Sequence, residues 1–519
     1  MAGSFGMEAA RAALDSGKPA LIWRRQVADT ETPVSAALKL MEEGRGDFLL
    51  ESVEGGETRG RHSLIGLAPD LVFRADGTQA AINRNWLNDR DAFAPESGDS
   101  LSALRNLVKA CQMDVPEELP RALACLVGYF GYETIGLVEK LPRAPQSELN
   151  LPDMLFVRPT VILIFDRLAD ELFLVAPVWP KSDGDSETKI ASAQERLDEV
   201  ERGLIETRRP CEGRGLSPSS APGADGGPGL RRGDDIEFTP QIPAEKYAQM
   251  VLRAKDYIEA GDIFQVVLAQ RFTTPFTLPP IELYRALRRI NPSPFLFFLD
   301  LPGFALTGSS PEILVRARDG EVTIRPIAGT RPRGKNAAED KANKDSLLAD
   351  PKERAEHLML LDLGRNDVGR VATANSVEVT DSYTVEFYSH VMHIVSNVVG
   401  QLAPDKDALD ALFAGFPAGT VSGAPKVRAC QIIAELEPET RGAYAGGVGY
   451  FSPDGSMDSC IVLRTGIVKD GVLHVQAGAG IVADSNPAYE LAECRAKAGA
   501  LLAAAKEAVK RARDVGFGQ

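Results

Sequence analysis

Four glutamates are spaced so that two helices would each present a pair of carboxylates on one face. The pairs, three residues apart in segments that predict helices, are Glu353 with Glu356 and Glu490 with Glu493. Mg²⁺ prefers oxygen ligands and is usually held by one or two carboxylates together with substrate oxygens. One carboxylate from each helix would make such a site. The spacing equally fits solvated helix faces, because Glu493 can pair with Lys497 one turn later.

Two glycine-rich segments and a single arginine indicate a site for an anionic ligand. The segments 416–426 (FPAGTVSGAPK) and 476–480 (QAGAG) allow backbone N–H groups to approach a ligand, and neither matches a Walker or Rossmann motif. Arg464 lies in an apolar run, IVLRTGIV, that predicts a strand interior, where a guanidinium needs a carboxylate partner. That partner is either an internal Asp or Glu or a substrate, and by composition alone the glycine segments are turns.

Nucleophilic catalysis has little support in the sequence. No GxSxG motif occurs, no cysteine lies in a GxCxG elbow, and the six cysteines form no CxxC pair. His393 lies in an apolar segment, where a lone histidine is more often a hydrogen-bonded core residue than a catalyst. A zinc site and a disulfide framework are not indicated, and a reducing compartment fits the cysteines best.

The acidic composition excludes some classes of partner. The 519 residues carry 58 Lys and Arg against 73 Asp and Glu, a net charge of −15, which argues against a nucleic-acid coat or a basic membrane-surface protein. The N-terminus lacks a basic segment followed by an apolar core, and no stretch of about 18 apolar residues occurs that would span a bilayer. We expect a cytoplasmic protein without nucleic-acid or membrane partners.

The elements that must position these residues fall into two parts. Residues 207–235 predict a flexible linker, because 7 Gly and 4 Pro occur in these 29 residues with almost nothing large and apolar. The linker separates an N-terminal part, 20–206, from a C-terminal part, 236–513. Strand patterns occur in hairpins and helix patterns lie between them without strict βαβ alternation, which predicts an α+β fold. The strand patterns are 48–50, 161–165, 172–175, 263–269, 322–326 and a hairpin of 460–468 with 472–476; the helix patterns are 189–208, 244–260, 281–289, one from Asp350 and one from 486 to about 513.

Ten segments together resemble the large subunits (component I) of anthranilate synthases, within the chorismate-utilising enzyme family. They occur in the order of that family over nearly the whole chain outside the linker. The resemblance implies large, mostly antiparallel sheets with helices packed outside. The segments are LLESVEGGETRGRHSLIG (49–66), GDIFQVVLAQRF (261–272), NPSPFLFF (291–298), GSSPE (308–312), RPIAGTRPRG (325–334), DPKERAEHLMLLDLGRNDVGRV (350–371), YSHVMHIVS (388–396), FPAGTVSGAPKVRA (416–429), AYAGGVGY (443–450) and VQAGAGIVADSNPAYELAECRAKA (475–498).

The resemblance implies a reaction and a metal cofactor. In this family ammonia adds to C2 of chorismate as the C4 hydroxyl leaves, and the aminodeoxyisochorismate intermediate then loses pyruvate and a ring proton. The product is anthranilate, the first intermediate of tryptophan biosynthesis. The Mg²⁺ ligands of the family fall on Glu356 and Glu493, where the metal would hold the ring carboxylate and orient the substrate.

The resemblance also implies roles for the residues of the substrate site. Glu312 matches the carboxylate proposed as general acid to the departing hydroxyl, and His393 matches the histidine implicated in the elimination. Gln265 and Thr420 are assigned to the catalytic set with them. Arg464 and the amides of 478–480 would hold the substrate carboxylates. The chorismate contacts fall on Gly329, Thr330, Tyr444, Arg464, Gly478, Ala479 and Gly480.

Two positions distinguish the chain from sister enzymes of the family. Isochorismate and salicylate synthases carry a water-activating Lys where this chain has Gln265, and an amide cannot act as a general base. Aminodeoxychorismate synthases typically read PIKGT, whereas this chain reads PIAGT with Ala328, which removes the Lys associated with attack at C2. Both differences favour attack of ammonia at C2, and aminodeoxychorismate synthase is the alternative enzyme.

The resemblance finally implies partners and regulation. No glutaminase nucleophile elbow is present, so a separate glutamine amidotransferase chain is expected to supply ammonia within a hetero-oligomer. Segment 49–66 resembles the tryptophan-feedback site of the family, and tryptophan is expected as an inhibitor. A non-catalytic tryptophan-sensing regulator on the same fold is the alternative from another class, and the intact catalytic and metal positions speak against it. The matched pocket residues are Ser52, Pro294, Phe295 and Leu296.

Overall fold

The fold is known from a computed structural model that describes residues 5–54, 58–205, 236–388 and 391–514. Within these residues the chain forms 24 strands and 11 helices. The predicted linker, 207–235, lies outside them. None of the helices in the described ranges is long and apolar enough to span a membrane.

Local signals explain where several helices begin. At α8, the Asp350 side chain accepts hydrogen bonds from the N–H groups of Lys352 and Glu353, and Pro351 occupies the first helical position, as the sequence predicts. The helices are α1 (Met7–Asp15), α2 (Pro33–Leu40), α3 (Ser100–Ala110), α4 (Ser186–Ile205), α5 (Ala244–Glu259), α6 (Pro280–Ile290), α7 (Ala337–Ala349), α8 (Pro351–Gly369), α9 (Ala408–Gly415), α10 (Lys426–Leu436) and α11 (Pro487–Asp514), with 3₁₀ turns at Tyr132–Leu137 and Gly419–Val421.

The strands are short, and most are joined to a neighbour in sequence by a tight turn. They are β1 (Ala20–Val27), β2 (Phe48–Glu54), β3 (Thr58–Leu67), β4 (Leu71–Asp76), β5 (Gln79–Asn83), β6 (Phe93–Pro95), β7 (Leu126–Phe130), β8 (Met154–Arg158), β9 (Val161–Asp166), β10 (Glu171–Val178), β11 (Thr239–Pro240), β12 (Gln265–Pro275), β13 (Phe295–Leu301), β14 (Phe304–Ser310), β15 (Ile313–Arg318), β16 (Glu321–Ile324), β17 (Ile327–Pro332), β18 (Glu378–Phe387), β19 (Val391–Gln401), β20 (Gly423–Ala424), β21 (Gly447–Phe451), β22 (Met457–Ile461), β23 (Thr465–Lys469) and β24 (Val472–Ile481).

The described strands build two twelve-stranded antiparallel sheets, which confirms the predicted α+β class. The first has the order β1-β10-β9-β3-β2-β13-β14-β23-β24-β12-β11, with β20 also on β12, and the second has the order β17-β19-β16-β15-β22-β21-β7-β8-β4-β5-β6, with β18 also on β19. The two predicted parts, 20–206 and 236–513, share both sheets, because β2 pairs with β13 in the first and β7 with β21 in the second.

Strand β9 shows how the sheets are buried on both faces. Its sequence, VILIFD, is apolar without alternation because successive side chains enter different cores. Ile162 and Ile164 pack with residues of the second sheet, such as Tyr129, between the two sheets. Leu163 and its neighbours on the other face pack under helices α1, α2 and α4. The sheets therefore face each other across one core while helices cover the outside, as predicted.

The chain passes between the two sheets several times, and two of these crossings are neighbours. Residues 311–312 connect β14 of the first sheet to β15 of the second, and residues 462–464 connect β22 of the second sheet to β23 of the first. Two backbone hydrogen bonds join the crossings, from Ile461 N to Glu312 O at 3.1 Å and from Ser309 N to Arg464 O at 3.2 Å. Each crossing therefore holds the other in place.

The prediction of one uninterrupted strand over 460–468 is wrong. The apolar run serves two strands in different sheets, and Arg464 lies in the crossing between them with a left-handed φ of 47°. The apolar pattern does not reveal the crossing, because the residues at the end of β22 and at the start of β23 are buried as well. The turn predicted at Asp470-Gly471 is confirmed, and both of its residues have positive φ, as a type I′ hairpin turn requires.

A buried ion pair connects helix α10 to strand β12 of the first sheet. The Arg441 guanidinium, 1% exposed, binds the Glu437 carboxylate with N···O distances of 2.6 and 2.9 Å. Its remaining N–H groups donate to the carbonyls of Val421 at 2.7 Å and Val267 at 2.8 Å, while Glu437 accepts the N–H of Ala269 at 2.8 Å. The pair thus ties the end of α10 and the 3₁₀ turn Gly419–Val421 to strand β12.

Replacing Arg441 by Met is expected to lower the free energy of unfolding by about 3–5 kcal/mol, because the Glu437 carboxylate remains buried without its cation. Arg365→Met is the matched control, since that arginine is 57% exposed and its partner among the described residues is Asp362 on the same helix. Its cost is expected to stay within about 1 kcal/mol. Urea denaturation followed by circular dichroism compares the two variants, and equal losses of stability would contradict the structural role of Arg441.

Candidate active site

A cavity of about 1060 Å³ opens beside the two crossings. It is enclosed by strands β12, β17, β19 and β24 and by helices α8 and α11. The predicted site residues that line it are Gln265, Glu312, Gly329, Thr330, Glu356, His393, Thr420, Tyr444, Arg464, Gly478, Gly480 and Glu493. Ala479 does not line the cavity, because alternation along β24 turns its side chain into the core.

Glu312 lies in the first crossing with its carboxyl group buried between the sheets. It is 7% exposed, and burial raises its pKa to about 8. The Thr420 hydroxyl donates to both carboxyl oxygens, at 3.0 and 3.1 Å, and this bond together with the charge of Arg464 only partly offsets the effect of burial on the pKa. At neutral pH the group is protonated and can give a proton to a bound molecule.

His393 is held in one tautomer by a bulge in the opposite strand. The pairing of β17 with β19 shifts register around Gly329, which has a φ of +73°. The shift places the Gly329 carbonyl oxygen 3.0 Å from His393 Nδ1, and because a carbonyl only accepts, Nδ1 carries the proton. Burial lowers the pKa of His393, so the ring is neutral and its Nε2 is free to take a proton.

Arg464 presents a positive charge that the described residues leave unpaired. Its guanidinium makes no hydrogen bond or ion pair with them, and the nearest charge effects come from Tyr388 and Glu312. Burial lowers the pKa of Arg464, but an arginine stays charged at neutral pH. Of the two partners that the sequence leaves open, an internal carboxylate is thus not found within the described ranges, and the geometry fits an anionic ligand.

The two acidic helices meet at one side of the cavity. Glu356 of α8 makes no hydrogen bond or ion pair within the described chain, whereas Glu493 of α11 binds Lys497 at 2.7 Å. Burial raises the pKa of Glu356, and repulsion from Glu353 and Glu493 raises it further, against the attraction of nearby lysines. Glu353 already has a partner, because its Oε1 accepts a hydrogen bond of 2.8 Å from the Arg331 guanidinium.

These carboxylates fit a hard divalent cation that a ligand helps to hold. No group of three or more His, Cys, Asp or Glu side chains in the described ranges is arranged to hold a metal ion by itself. Glu356 and Glu493 supply two carboxylate groups that repel each other, and a cation between them would remove that repulsion. Mg²⁺ accepts such an incomplete protein donor set, because it keeps waters or binds substrate oxygens.

Two glycines of β24 leave room at the floor of the cavity. A Cβ at Gly480 would lie 2.4 Å from the Gln265 amide nitrogen, and one at Gly478 would lie 2.8 Å from the Tyr444 hydroxyl. Any larger residue would therefore push these polar groups away. Lys497 Nζ donates a hydrogen bond of 2.9 Å to the Gly478 carbonyl and so links α11 to β24 at this point.

Sequence reasoning missed two residues that shape the site. The Tyr388 ring lies edge-on to His393, with ring centroids 5.3 Å apart, and its hydroxyl donates to Glu386 at 3.0 Å. Arg331 binds both Asp350 and Glu353 and so keeps the first turn of α8 beside β17. Both lie in or next to the quoted segments, but no spacing rule relates either to the residue it touches.

The residues predicted to form a second, regulatory pocket are also neighbours. Ser52 pairs with Phe295, and Glu51 with Leu296, where β2 meets β13. Pro294 directly precedes β13. Glu51 is anchored by Arg288 at 2.9 Å and by the Tyr284 hydroxyl at 2.6 Å. The juxtaposition across more than 240 residues of sequence is as expected, and its regulatory role stays a prediction.

The chain is similar to known proteins over nearly its whole length. The family model described as chorismate binding enzyme matches residues 46–503. The chain is 50% identical over 503 residues to anthranilate synthase component 1 of Cereibacter sphaeroides (97% of this chain, 98% of the relative) and 46% identical to that of Thermus thermophilus (93% and 97%). A crystal structure of anthranilate synthase component I from Streptococcus pneumoniae is similar, with a TM-score of 0.72 and 35% identity over 92% of this chain and 99% of that one.

The buried carboxyl of Glu312 predicts a stability effect that depends on pH. Below the ordinary pKa of 4.5 the group is protonated whether the chain is folded or unfolded. Between 4.5 and about 8 only the unfolded chain ionises, so folding must take up a proton and loses stability as pH rises. Glu312→Gln removes this penalty. We expect its gain in unfolding free energy to grow by about 1.4 kcal/mol per pH unit across this window and then level off.

Urea denaturation of Glu312→Gln and of the unmodified chain at several pH values measures this difference. Asp362→Asn is the control, because that carboxylate is 62% exposed and lies outside the cavity. A difference between Glu312→Gln and the unmodified chain that does not change with pH would show that the carboxyl is ionised in the folded protein.

Proposed function

The chain belongs to the chorismate-binding enzyme family, and on that premise we propose that its cavity forms anthranilate and pyruvate from chorismate and ammonia, as the large subunit of an anthranilate synthase. The observation that carries the proposal is that one cavity brings together a neutral Glu312 and an Arg464 that the described residues leave without a partner. A proton donor beside an anion site is what loss of a hydroxyl from a carboxylate substrate requires. The first step of tryptophan biosynthesis follows from this activity.

Binding of the substrate depends on local charge rather than on the charge of the whole protein. Chorismate carries two carboxylates, and the chain has a net charge of −15. Arg464 would bind one carboxylate through its guanidinium. The backbone N–H groups of β24 at Gly478 and Gly480 lie where glycine permits close approach. Tyr444 and Thr330 line the same cavity and would complete the contacts.

In the first chemical step ammonia attacks C2 as the C4 hydroxyl leaves. The protonated carboxyl of Glu312 gives its proton to the departing oxygen, which leaves as water, and the ammonium group formed at C2 loses one proton to solvent to become the amine. Thr420, bonded to both carboxyl oxygens, stabilises the carboxylate that results. Gln265 faces the cavity but its amide cannot take a proton from water, so ammonia rather than water is the nucleophile.

In the second step the aminodeoxyisochorismate loses pyruvate. A proton leaves the ring at C2, the bond from C3 to the enolpyruvyl oxygen breaks, and the enolpyruvyl group takes up a proton to become pyruvate. The neutral His393 has a free Nε2 and therefore fits the base that moves the ring proton. Tyr388, edge-on to the ring, helps to fix its orientation.

The family is generally magnesium-dependent, and the donor set described above fits that ion. Glu356 and Glu493 would hold it, with the remaining positions left to water and the substrate carboxylate. When bound, the cation would neutralise the substrate carboxylate and orient the ring. The protein ligands are already in place. Arg331 binds Glu353, which keeps that carboxylate away from the metal position, and the ion pair with Lys497 holds the Glu493 carboxylate.

Glu356→Gln and Glu493→Gln test the metal assignment. Each change keeps the size of the side chain but removes a carboxylate, so we expect loss of Mg²⁺ binding by calorimetry, in the presence of substrate, and a fall in turnover of about 10–100-fold or more. Asp362→Asn on α8 is the matched control for loss of one acidic charge. Normal Mg²⁺ affinity in Glu493→Gln at limiting metal would disprove the assignment.

Component I is named for a second component, and we propose that this partner is a glutamine amidotransferase. No nucleophile elbow for glutamine hydrolysis occurs in the sequence. With its partner, the chain would form a hetero-oligomer in which ammonia is made on one chain and used on the other.

A product assay tests the function directly. The purified chain, given chorismate, Mg²⁺ and an ammonium salt, is expected to release anthranilate, identified by fluorescence and mass. The rate should rise with pH up to about 8, because more ammonia is then unprotonated while Glu312 still keeps its proton, and fall above it. Glutamine alone should give no product. Formation of 4-amino-4-deoxychorismate instead would identify the alternative enzyme, and glutamine-dependent product from this chain alone would refute the partner.

We propose further that tryptophan binds at β2 and β13 and weakens chorismate binding. The observation is a short physical path between the two sites. Phe295 pairs with Ser310 on β14, and the preceding residue of that strand, Ser309, donates its N–H to the carbonyl of Arg464. A ligand that shifts β13 would therefore move the crossing that carries the substrate-binding arginine. A coupling of about 1–3 kcal/mol is typical of such regulation.

Ser52→Phe is expected to abolish tryptophan binding and inhibition while leaving uninhibited turnover near normal. The pocket has little room at this point, since a Cβ on Gly60 would lie 1.8 Å from the Ser52 hydroxyl. Leu168→Phe, at a turn residue that is 78% exposed, is the control and should keep inhibition. Calorimetric titration with tryptophan, with and without chorismate, measures the coupling. Loss of catalysis together with inhibition would contradict a separate regulatory site.

A further inference from the structure

His393, the proposed base, lies in a row of three side chains across the second sheet. Thr330 of β17 pairs with it on one side, and Glu386 of β18 pairs with it on the other. Directly opposite residues of antiparallel strands point to the same face of the sheet, with Cβ atoms about 4.5–5.5 Å apart. The Glu386 side chain therefore lies beside that of His393, on the side away from Thr330.

Two hydrogen-bond donors hold the Glu386 carboxylate in this place. The Tyr388 hydroxyl donates to Oε2 at 3.0 Å, and the Arg325 guanidinium binds Oε1. The Tyr388 ring in turn lies edge-on to His393, with ring centroids 5.3 Å apart. Glu386 is thus connected to the base through Tyr388, while Arg325 competes for its negative charge.

A base at this position must become an imidazolium inside a largely buried site. His393 is 9% exposed, and burial opposes the charged form of its ring. Two charges act on the pKa of His393, namely that of Arg464, which lowers it, and that of Glu386, which raises it. Glu386 therefore favours the form of His393 that proton transfer from the substrate creates.

The other groups packed around His393 do not replace this charge. From helix α8, the Glu353 carboxylate pairs with Arg331, and Glu356 is left to the metal. The remaining neighbours in the described chain are uncharged at neutral pH, because burial raises the pKa of both Tyr388 and Glu312. These uncharged neighbours are Gly329, Thr330, Tyr388 and Glu312.

We infer that Glu386 is the counter-ion of His393 in the second step, where it stabilises the imidazolium, and that Arg325 weakens this effect by pairing with the same carboxylate. The C2–H electron pair forms a ring double bond as the C3–O bond breaks, and the proton moves to Nε2. The departing enolate of pyruvate takes one proton from solvent and the imidazolium returns one, so the step consumes no net proton. Glu386 is a positioning residue, since it acts through His393 and does not line the cavity. The inference rests on the proposed role of His393.

Two substitutions should shift the pKa of His393 in opposite directions. Glu386→Gln keeps the size of the side chain and an acceptor for the Tyr388 hydroxyl but removes the negative charge, so the pKa should fall. Arg325→Gln removes the competing cation and leaves the carboxylate, so the pKa should rise. Glu378→Gln is the matched control, because that carboxylate is exposed and lies at the far end of the same strand, opposite Val399.

Nuclear magnetic resonance of the histidine rings measures these shifts without any substrate. The chain has five histidines, and the signal of His393 is identified by its loss in His393→Gln. In Glu386→Gln the titration midpoint should fall, or the ring should stay neutral down to the lowest pH at which the chain is folded. The midpoint should rise in Arg325→Gln and stay unchanged in Glu378→Gln.

Rapid-quench kinetics with chorismate, ammonium and Mg²⁺ measures the effect on the reaction. Formation of aminodeoxyisochorismate should keep its rate in Glu386→Gln, because the acid of the first step is Glu312. The elimination should slow by about tenfold, so the intermediate should accumulate, as measured by chromatography and mass. Arg325→Gln and Glu378→Gln should accumulate none.

Three outcomes would overturn the inference. A midpoint that moves in the same direction in Glu386→Gln and Arg325→Gln would show that the two residues only maintain the local structure. An unchanged midpoint in Glu386→Gln would show that its charge does not reach the ring, and equal slowing of both steps in that variant would show a distorted site. Failure of the proposed function would look different, because the unmodified chain and Glu378→Gln would then form neither the intermediate nor anthranilate.

Discussion

The two neighbouring crossings that contain Glu312 and Arg464 are the constraint on which the site depends. A strand that leaves one sheet for another has a few residues outside either hydrogen-bond ladder, and here those residues include Glu312 and Arg464. The reciprocal backbone bonds, Ile461 to Glu312 and Ser309 to Arg464, hold the acid and the cation at a fixed separation. Because the crossings lie between two packed sheets, both side chains are desolvated without a carboxylate–arginine hydrogen bond between them. The same constraint therefore sets the position and the protonation of the catalytic groups.

Burial raises the pKa of Glu312 and lowers the pKa of His393, and each shift suits the role of that residue in the reaction. It favours the neutral form of Glu312, which becomes an acid, and the neutral form of His393, which becomes a base. Arg464 keeps its charge because the pKa of arginine is too high for burial to neutralise it. Burying these three side chains lowers the free energy of unfolding. The Arg441–Glu437 network and the large hydrophobic cores offset this loss of stability.

Much of this could be predicted from sequence, and the failures have physical reasons. The start of α8 follows from Asp350 and Pro351 alone, and the family segments bring twelve of the thirteen predicted site residues outside the tryptophan pocket to one cavity. The apolar pattern puts Arg464 inside a strand because burial on both sides of a crossing hides the break. The side chain of Ala479 is turned into the core by alternation along β24, so the contact predicted for its backbone amide stays a prediction. The tautomer of His393 depends on a bulge at Gly329 that pairs strands far apart in sequence.

The central claim is that Glu312 is protonated in the folded protein at neutral pH, and infrared difference spectroscopy measures this directly. A pH titration of the unmodified chain, with Glu312→Gln as the reference that identifies the band, follows the C=O stretch of a protonated carboxyl. The structure predicts a band that is present at neutral pH, disappears with a midpoint of about 8 and is absent from Glu312→Gln. A Glu312 that is already fully ionised at neutral pH would contradict the account.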